Sequence, residues 1–97
     1  MRYEIILAPE TVEDLKHLSA RDRSIVRDVI EKHLRCEPEK VSRARIKCLR
    51  GLTKPQYRLR VGEFRVFYDV VEDQVEVLAI VPKSKAANWL EEKGEAK

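Results

Sequence analysis

The chain has 97 residues, room for one small domain spanning residues 1–97. Apolar residues make up 43%, with three Gly and four Pro, which excludes a disordered or low-complexity chain. No apolar run reaches the roughly 18–20 residues that a membrane span needs. The net charge is only +3, but residues 43–68 carry eight Lys or Arg against Glu63 alone, a footprint suited to a polyanion or an acidic partner.

Residues 2–7 read as a strand, with Tyr3, Ile5 and Leu7 on one face. Glu4 interrupts the apolar run, Pro9 and Glu10 follow it, and no signal-peptide cleavage pattern is present, so a cytoplasmic protein is expected. Pro9 and Glu10 suit the first turn of a helix that carries Val12, Leu15 and Leu18 and ends near His17 or Leu18. Ser19, with Asp22 three residues on, approximates a capping box for a second helix. Ile25, Val26, Val29, Ile30, His33 and Leu34 form its apolar stripe, and Pro38 ends it near Cys36. Two short helices joined this tightly form an antiparallel hairpin on one face of a sheet.

Residues 39–52 are harder to read. They start with a possible helical turn around residues 40–43, and Gly51 marks a tight turn. Residues 57–70 then give the clearest pattern in the chain. Tyr57, Leu59 and Val61 alternate with Arg58 and Arg60, while Phe64, Val66, Tyr68 and Val70 alternate with Arg65, Phe67 and Asp69. Gly62 and Glu63 between the runs suit a type II′ hairpin turn. That turn sets Val61 opposite Phe64, Arg60 opposite Arg65, Leu59 opposite Val66, Arg58 opposite Phe67 and Tyr57 opposite Tyr68. One face is apolar. The other gathers Arg58, Arg60 and Arg65, and like charges directly opposed destabilise a sheet. A solubilising outer face would explain any one of these arginines. Three on one face, with a carboxylate only at Asp69, point instead to an anion site, because the arginine fork matches phosphate.

After a second turn at residues 72–74, residues 75–81 read as a central strand covered on both sides. Val75, Val77, Ala79 and Val81 are expected to continue the apolar face of the hairpin, with Leu78 and Ile80 beside Phe67 on the arginine face. Pro82 is expected to stop the strand, and Ser84 to cap a last helix that Gly94 ends. Trp89 and Leu90 anchor that helix over Phe67, Leu78 and Ile80, which brings Lys83, Lys85 and Trp89 to the border of the arginine face. The expected class is α+β, with a small, twisted, mostly antiparallel sheet in the order strand–helix–helix–strand–strand–strand–helix. Cys36, Cys48, His17 and His33 lack paired ligand spacing, so neither zinc nor a disulfide is expected, and His33 reads as a packed histidine.

This order of elements resembles the RelE-like branch of the RelE/ParE toxin superfamily of type II toxin–antitoxin modules. The marks are Lys47-x-Leu49-Arg50-Gly51, Tyr57-Arg58-x-Arg60-x-Gly62-x-Phe64-Arg65-Val66-x-Tyr68, and Val77-Leu78-Ala79-Ile80-Val81 with a basic residue beyond. The resemblance implies a ribosome-dependent endoribonuclease that cleaves mRNA in the A site without metal or cofactor. It implies a cognate antitoxin in a heteromeric complex, and the ribosome with its mRNA as the second partner. Matched by position, Arg58, Arg60, Arg65 and Lys83 take the catalytic places; Lys47, Arg50, Lys54, Lys85 and Trp89 are expected to bind the RNA around them. Trp89 stands where such enzymes often have a tyrosine, and an indole cannot move a proton as a phenol can. Two alternatives share the fold: a ParE-like DNA gyrase inhibitor without RNase activity, and an inactive relative that binds only antitoxin and operator DNA.

Overall fold

Strand β1 (Glu4–Leu7) opens the chain in the computed structural model, which describes residues 2–97. Pro9 starts α1 (Pro9–Lys16), where its missing N–H has no partner to lose. Helix α2 (Ala20–Leu34) is capped by Ser19, whose hydroxyl accepts the Asp22 N–H at 3.1 Å. Arg23 locks the two helices together. Its guanidinium donates to the carbonyls of Leu15, Lys16 and Leu18 at 3.0, 3.4 and 3.1 Å, satisfying groups that the end of α1 leaves open. On α2 the buried row is Val26, Ile30 and Leu34. Ile25, expected on the same stripe, is 44% exposed, because a helix lying on a sheet buries one i, i+4 row and tilts its flanks to solvent. His33 is half-buried on the flank of that row, and burial pushes its pKa down.

The helical turn expected at residues 40–43 does not form. Ser42 instead folds a bend into β2 (Ile46–Cys48): its hydroxyl accepts from the N–H groups of Arg45 and Ile46, and its own N–H donates to the Ile46 carbonyl at 2.9 Å. A short β3 (Leu52–Lys54) follows. Three residues hold too little alternation to announce a strand. Then come β4 (Tyr57–Val61), β5 (Phe64–Val71), β6 (Gln74–Pro82), α3 (Lys83–Lys93) and β7 (Glu95–Ala96). The main sheet has the order β1-β6-β5-β4-β2, with β1 parallel to β6 and every other pair antiparallel. A second, two-stranded sheet pairs β3 with β7. Among the described residues no helix is long and apolar enough to cross a membrane.

All five cross-strand pairs expected for the β4–β5 hairpin are present. Gly62 takes φ +55° at the first turn position while Glu63 stays out of the positive region, as a type II′ turn requires. The apolar face packs under α1 and α2, where Leu15, Val26, Ile30 and Leu34 meet Leu59, Val66, Tyr68, Val75, Val77 and Ile80.

Strand β6 does not keep its alternation. Phe67 pairs with Ala79 but Tyr68 pairs with Val77, which leaves Leu78 as an extra, bulged residue. Beyond the bulge the faces exchange. Ile80 lies opposite Val66 in the helix-covered core, whereas Ala79 lies opposite Phe67 and Val81 opposite Arg65. This overturns the expected placing of Ala79, Ile80 and Val81. A run that is apolar on both faces offers no polar residue against which a one-residue slip can be seen.

Strand β1 ends opposite Val77, so α1 covers the edge of β6 beyond it. Thr11 Oγ1 donates to the Val77 carbonyl at 2.7 Å, and Asp14 Oδ2 accepts the Ile80 N–H at 2.9 Å. Burial raises the Asp14 pKa, and the Ile80 hydrogen bond opposes that rise. Strand β6 runs through Pro82, and α3 starts at Lys83 with no side-chain cap, so Ser84 lies inside the helix instead of capping it. Gly94 follows α3, and a Cβ there would strike the Leu90 carbonyl oxygen.

Candidate functional site: a cationic sheet face

Alternation turns Lys47, Arg58, Arg60, Arg65 and Phe67 to the face opposite α1 and α2. Lys47 pairs across strands with Arg58, Arg58 with Phe67, and Arg60 with Arg65. Directly opposed side chains stand about 4.5–5.5 Å apart at Cβ, so these cations share one patch. Among the described residues none of Lys47, Arg50, Arg58, Arg60 or Arg65 has a carboxylate within ion-pair distance; the ion pairs lie elsewhere. Burial lowers the Arg58 pKa, and Arg65 and Arg60 push it the same way. Its Nε is buried with no hydrogen-bond partner.

Asp69 does not neutralise this patch. Its Oδ1 accepts the Gln56 N–H at 2.7 Å, while Gln56 Oε1 accepts the Val70 N–H at 3.0 Å. Burial raises the Asp69 pKa, with the Gln56 hydrogen bond opposing. The carboxylate therefore fastens the segment that leads into β4.

The three arginines differ from one another. Arg60 is exposed and Arg58 half-buried. Arg65 is 7% exposed, and its Nη1 donates to the carbonyls of Gly62 and Phe64, both at 2.9 Å, so it staples the hairpin turn. Arg45 joins them through a hydrogen bond from its Nη1 to the Arg60 carbonyl at 3.0 Å. Sequence reasoning missed Arg45, because it precedes β2 in a bend where no periodicity assigns a face.

The remaining candidates spread around the patch. The Lys83 N–H donates to the Glu63 carbonyl at 2.7 Å, which starts α3 beside the stapled turn. Lys83 and Lys85 are both exposed, as are Lys47 and Arg50. Lys54 is drawn away to Glu76 at 3.5 Å. Trp89 stacks on Phe67 with centroids 4.7 Å apart and planes 3° apart, as expected from the sequence. Its Nε1 donates to Glu10 Oε2 at 2.8 Å, a contact across 79 residues that no local pattern announces. Leu78 lines the same cleft as Trp89, while Ile80, expected under the helix, lies on the other face.

Chemically, this face offers fixed positive charge and charge-assisted donors. Tyr3, Tyr57 and Tyr68 all belong to the opposite core, with Tyr57 and Tyr68 stacked at 5.4 Å. His33 is on α2, on the helix side of the sheet. The titratable candidates of the sequence other than arginine are then Glu63, in the hairpin turn, and Lys47, Lys54, Lys83 and Lys85. Guanidinium forks without counter-ions match phosphate oxygens in geometry and charge.

The model of the ParE toxin family, "ParE toxin of type II toxin-antitoxin system, parDE", matches residues 5–87. No curated protein sequence matches the chain. Among solved structures, the chain is similar to the RelBE2 toxin–antitoxin complex from Mycobacterium tuberculosis, with TM-score 0.69 and 23% identity over 84% of this chain and 99% of that one. It is similar to the RelB–RelE complex from Methanococcus jannaschii, with TM-score 0.65 and 22% identity over 87% and 96%. The archaeal RelE–RelB complex from Pyrococcus horikoshii OT3 gives TM-score 0.62 and 24% identity over 88% and 99%. These structural likenesses carry the fold, and the family model carries membership: the chain belongs to the ParE toxin family of type II toxin–antitoxin systems, with the α+β fold shared by RelE and ParE toxins.

Proposed function

We propose that this toxin is a RelE-like, ribosome-dependent endoribonuclease that cleaves mRNA in the A site. The observation that carries the reading is the patch of Arg58, Arg60 and Arg65, which among the described residues has no carboxylate within ion-pair distance. In the proposed reaction the RNA 2′-hydroxyl oxygen attacks its own 3′ phosphorus. The new O–P bond forms as the bond to the 5′ oxygen breaks, leaving a 2′,3′-cyclic phosphate and a 5′-hydroxyl, with no cofactor. Arg58 and Arg60 hold the non-bridging oxygens and the charge that grows on them. Arg65, immobilised by its turn carbonyls, adds positive charge from below. Arginine stays protonated, so the proton that leaves the 2′-hydroxyl and the one that the 5′ oxygen gains are assigned to Lys83. Lys47, Arg50, Lys54 and Lys85 contact the RNA backbone, and Trp89 borders a base. The toxin works in the cytoplasm, on the ribosome, until an acidic segment of its antitoxin covers the cationic face.

A second reading, a ParE-like inhibitor of DNA gyrase, is favoured by the name of the matching family model and by the lack of a tyrosine or histidine on the patch. One experiment separates the two. On induction, new mRNA 5′ ends should map to A-site codons within minutes. Gyrase-dependent DNA breaks with mRNA left intact would overturn the proposal in favour of the second reading.

A further inference from the structure

Of the two edges of the main sheet, β2 is closed and β1 is open. At β2 the bend at Ser42 takes up the Ile46 N–H and carbonyl. At β1 the Glu4 N–H donates to the Asp73 carbonyl and the Ala8 N–H to the Val77 carbonyl, both at 2.9 Å. Alternate residues of this parallel pair therefore face β6, and Ile5 and Leu7 turn their N–H and C=O groups outward. Among the described residues nothing bonds those groups. The next outward residues end the opening. Arg35 takes both Tyr3 groups: its carbonyl accepts the Tyr3 N–H at 2.7 Å, and its Nη1 donates to the Tyr3 carbonyl at 3.1 Å. At the other end Pro9 has no N–H to offer. An unpaired edge of this kind is a template for another strand.

The shortness of the opening selects that strand. A longer foreign strand would leave its own groups unpaired against Tyr3 and Pro9, whereas a second copy of β1 has the same two open residues. In an antiparallel pair about a two-fold axis at Ile6, Ile5 of each copy exchanges both hydrogen bonds with Leu7 of the other. The two Ile6 residues then meet as a non-hydrogen-bonded pair, about 4.5 Å apart at Cα. Glu4 falls opposite Ala8, so no like charges are opposed along the strands. On the helix side, clefts of about 250 and 320 Å³ share Leu7, Leu15 and Arg27 and make one groove along this edge. Val12, which is 40% exposed, lines its Leu7 end, while Ile5 and Glu31 line the other. The two-fold lays the Ile5 end of one copy on the Leu7 end of the other, which covers Val12 and brings Glu31 toward Arg27. Arg35 already donates to both Glu31 oxygens, at 3.1 and 2.6 Å. A carboxylate has about four acceptor sites, and this side chain is 57% exposed, so it can accept Arg27 as well.

We infer that this toxin pairs with itself through β1, joining two five-stranded sheets into one continuous sheet. The axis stands perpendicular to the sheet, so both arginine faces lie on the same side. The pairing does not depend on what those faces bind. In sedimentation of the full-length toxin the mass should rise from monomer to dimer between about 1 and 100 µM, the range of a small interface. Ile6→Lys and Ile6→Glu should each weaken the dimer about tenfold, because each sets like charges face to face, and an equimolar mixture of the two should restore it. In a Cys36→Ser, Cys48→Ser background, Ile6→Cys should give a disulfide-linked dimer on mild oxidation. Glu4→Cys, distant from its own copy across the axis, should not. A toxin that stays monomeric throughout, with Ile6→Cys not cross-linked, would overturn the pairing. If antitoxin then shields the Ile6→Cys thiol from alkylation, the edge belongs to the antitoxin instead. A dimer that Ile6→Lys and Ile6→Glu both leave intact would place the interface elsewhere and overturn it too.

Discussion

The two faces of the main sheet are written by alternate residues of the same strands, yet they are finished differently. Beneath α1 and α2, Leu59, Val66, Tyr68, Val75 and Val77 are fully buried, and the one hydroxyl among them donates to the Pro38 carbonyl at 2.6 Å. On the opposite face Arg58, Arg60 and Arg65 gather with no counter-ion among the described residues. Burying apolar surface with every polar group partnered stabilises the fold. Crowding cations, one of them with a buried orphan nitrogen, opposes it. Such local violations of the folding rules fall at functional sites, and here the division runs along the plane of the sheet, so stability and activity should respond to separate sets of mutations.

The largest effect should come from Arg58→Ala combined with Arg60→Ala. Each lost charge-stabilising donor lowers a chemical rate by about 10²–10³, so single-turnover cleavage on programmed ribosomes should become undetectable. Thermal stability should stay level or rise, because the variant relieves like-charge repulsion beside Arg65. A clear drop in melting temperature would break the comparison, since it would show that these two arginines hold the fold.

Arg65 sharpens the comparison, because it faces the patch but is finished like the core. Arg65→Ala removes both hydrogen bonds to the turn carbonyls, and charge-assisted bonds contribute about 1.5–3 kcal/mol each at most. Denaturant unfolding should show a loss of about 1–3 kcal/mol, in contrast to the Arg58 and Arg60 pair. Unchanged stability would return Arg65 to the same class as its neighbours.

Much of this division was legible in the residues. A two-residue turn with Gly62 first sets the hairpin register without ambiguity, so the cationic patch followed from spacing alone. Pattern failed where pattern was absent. Across residues 75–81 both faces are apolar, which hid the Leu78 bulge and reversed the placing of Ala79, Ile80 and Val81. Strands β2, β3 and β7 are two or three residues long and exist through pairing with distant partners. The stapling role of Arg65 and the Trp89–Glu10 bond depend on where side chains reach in three dimensions, and sequence spacing carries no record of that.

The smallest effect tests the closed face by pH. Tyr68→Phe removes the hydroxyl that satisfies the buried Pro38 carbonyl, at a cost of about 1 kcal/mol near neutrality. Burial, chiefly, raises the Tyr68 pKa well above the ordinary value near 10, with Tyr57 adding to the rise. In the unfolded chain the phenol titrates near 10. Above that pH the unfolded state releases the proton while the folded state keeps it, so unfolding binds fewer protons and stability falls as pH rises. The contribution is complete below about pH 10 and is lost progressively above it. Denaturant unfolding between pH 8 and pH 11 should show this decline in the unaltered toxin and a shallower one in Tyr68→Phe. Tyr57, whose pKa burial also raises, leaves a residual slope. Equal slopes in the two proteins would mean that Tyr68 ionises in place, and that water reaches the face which α1 and α2 are said to close.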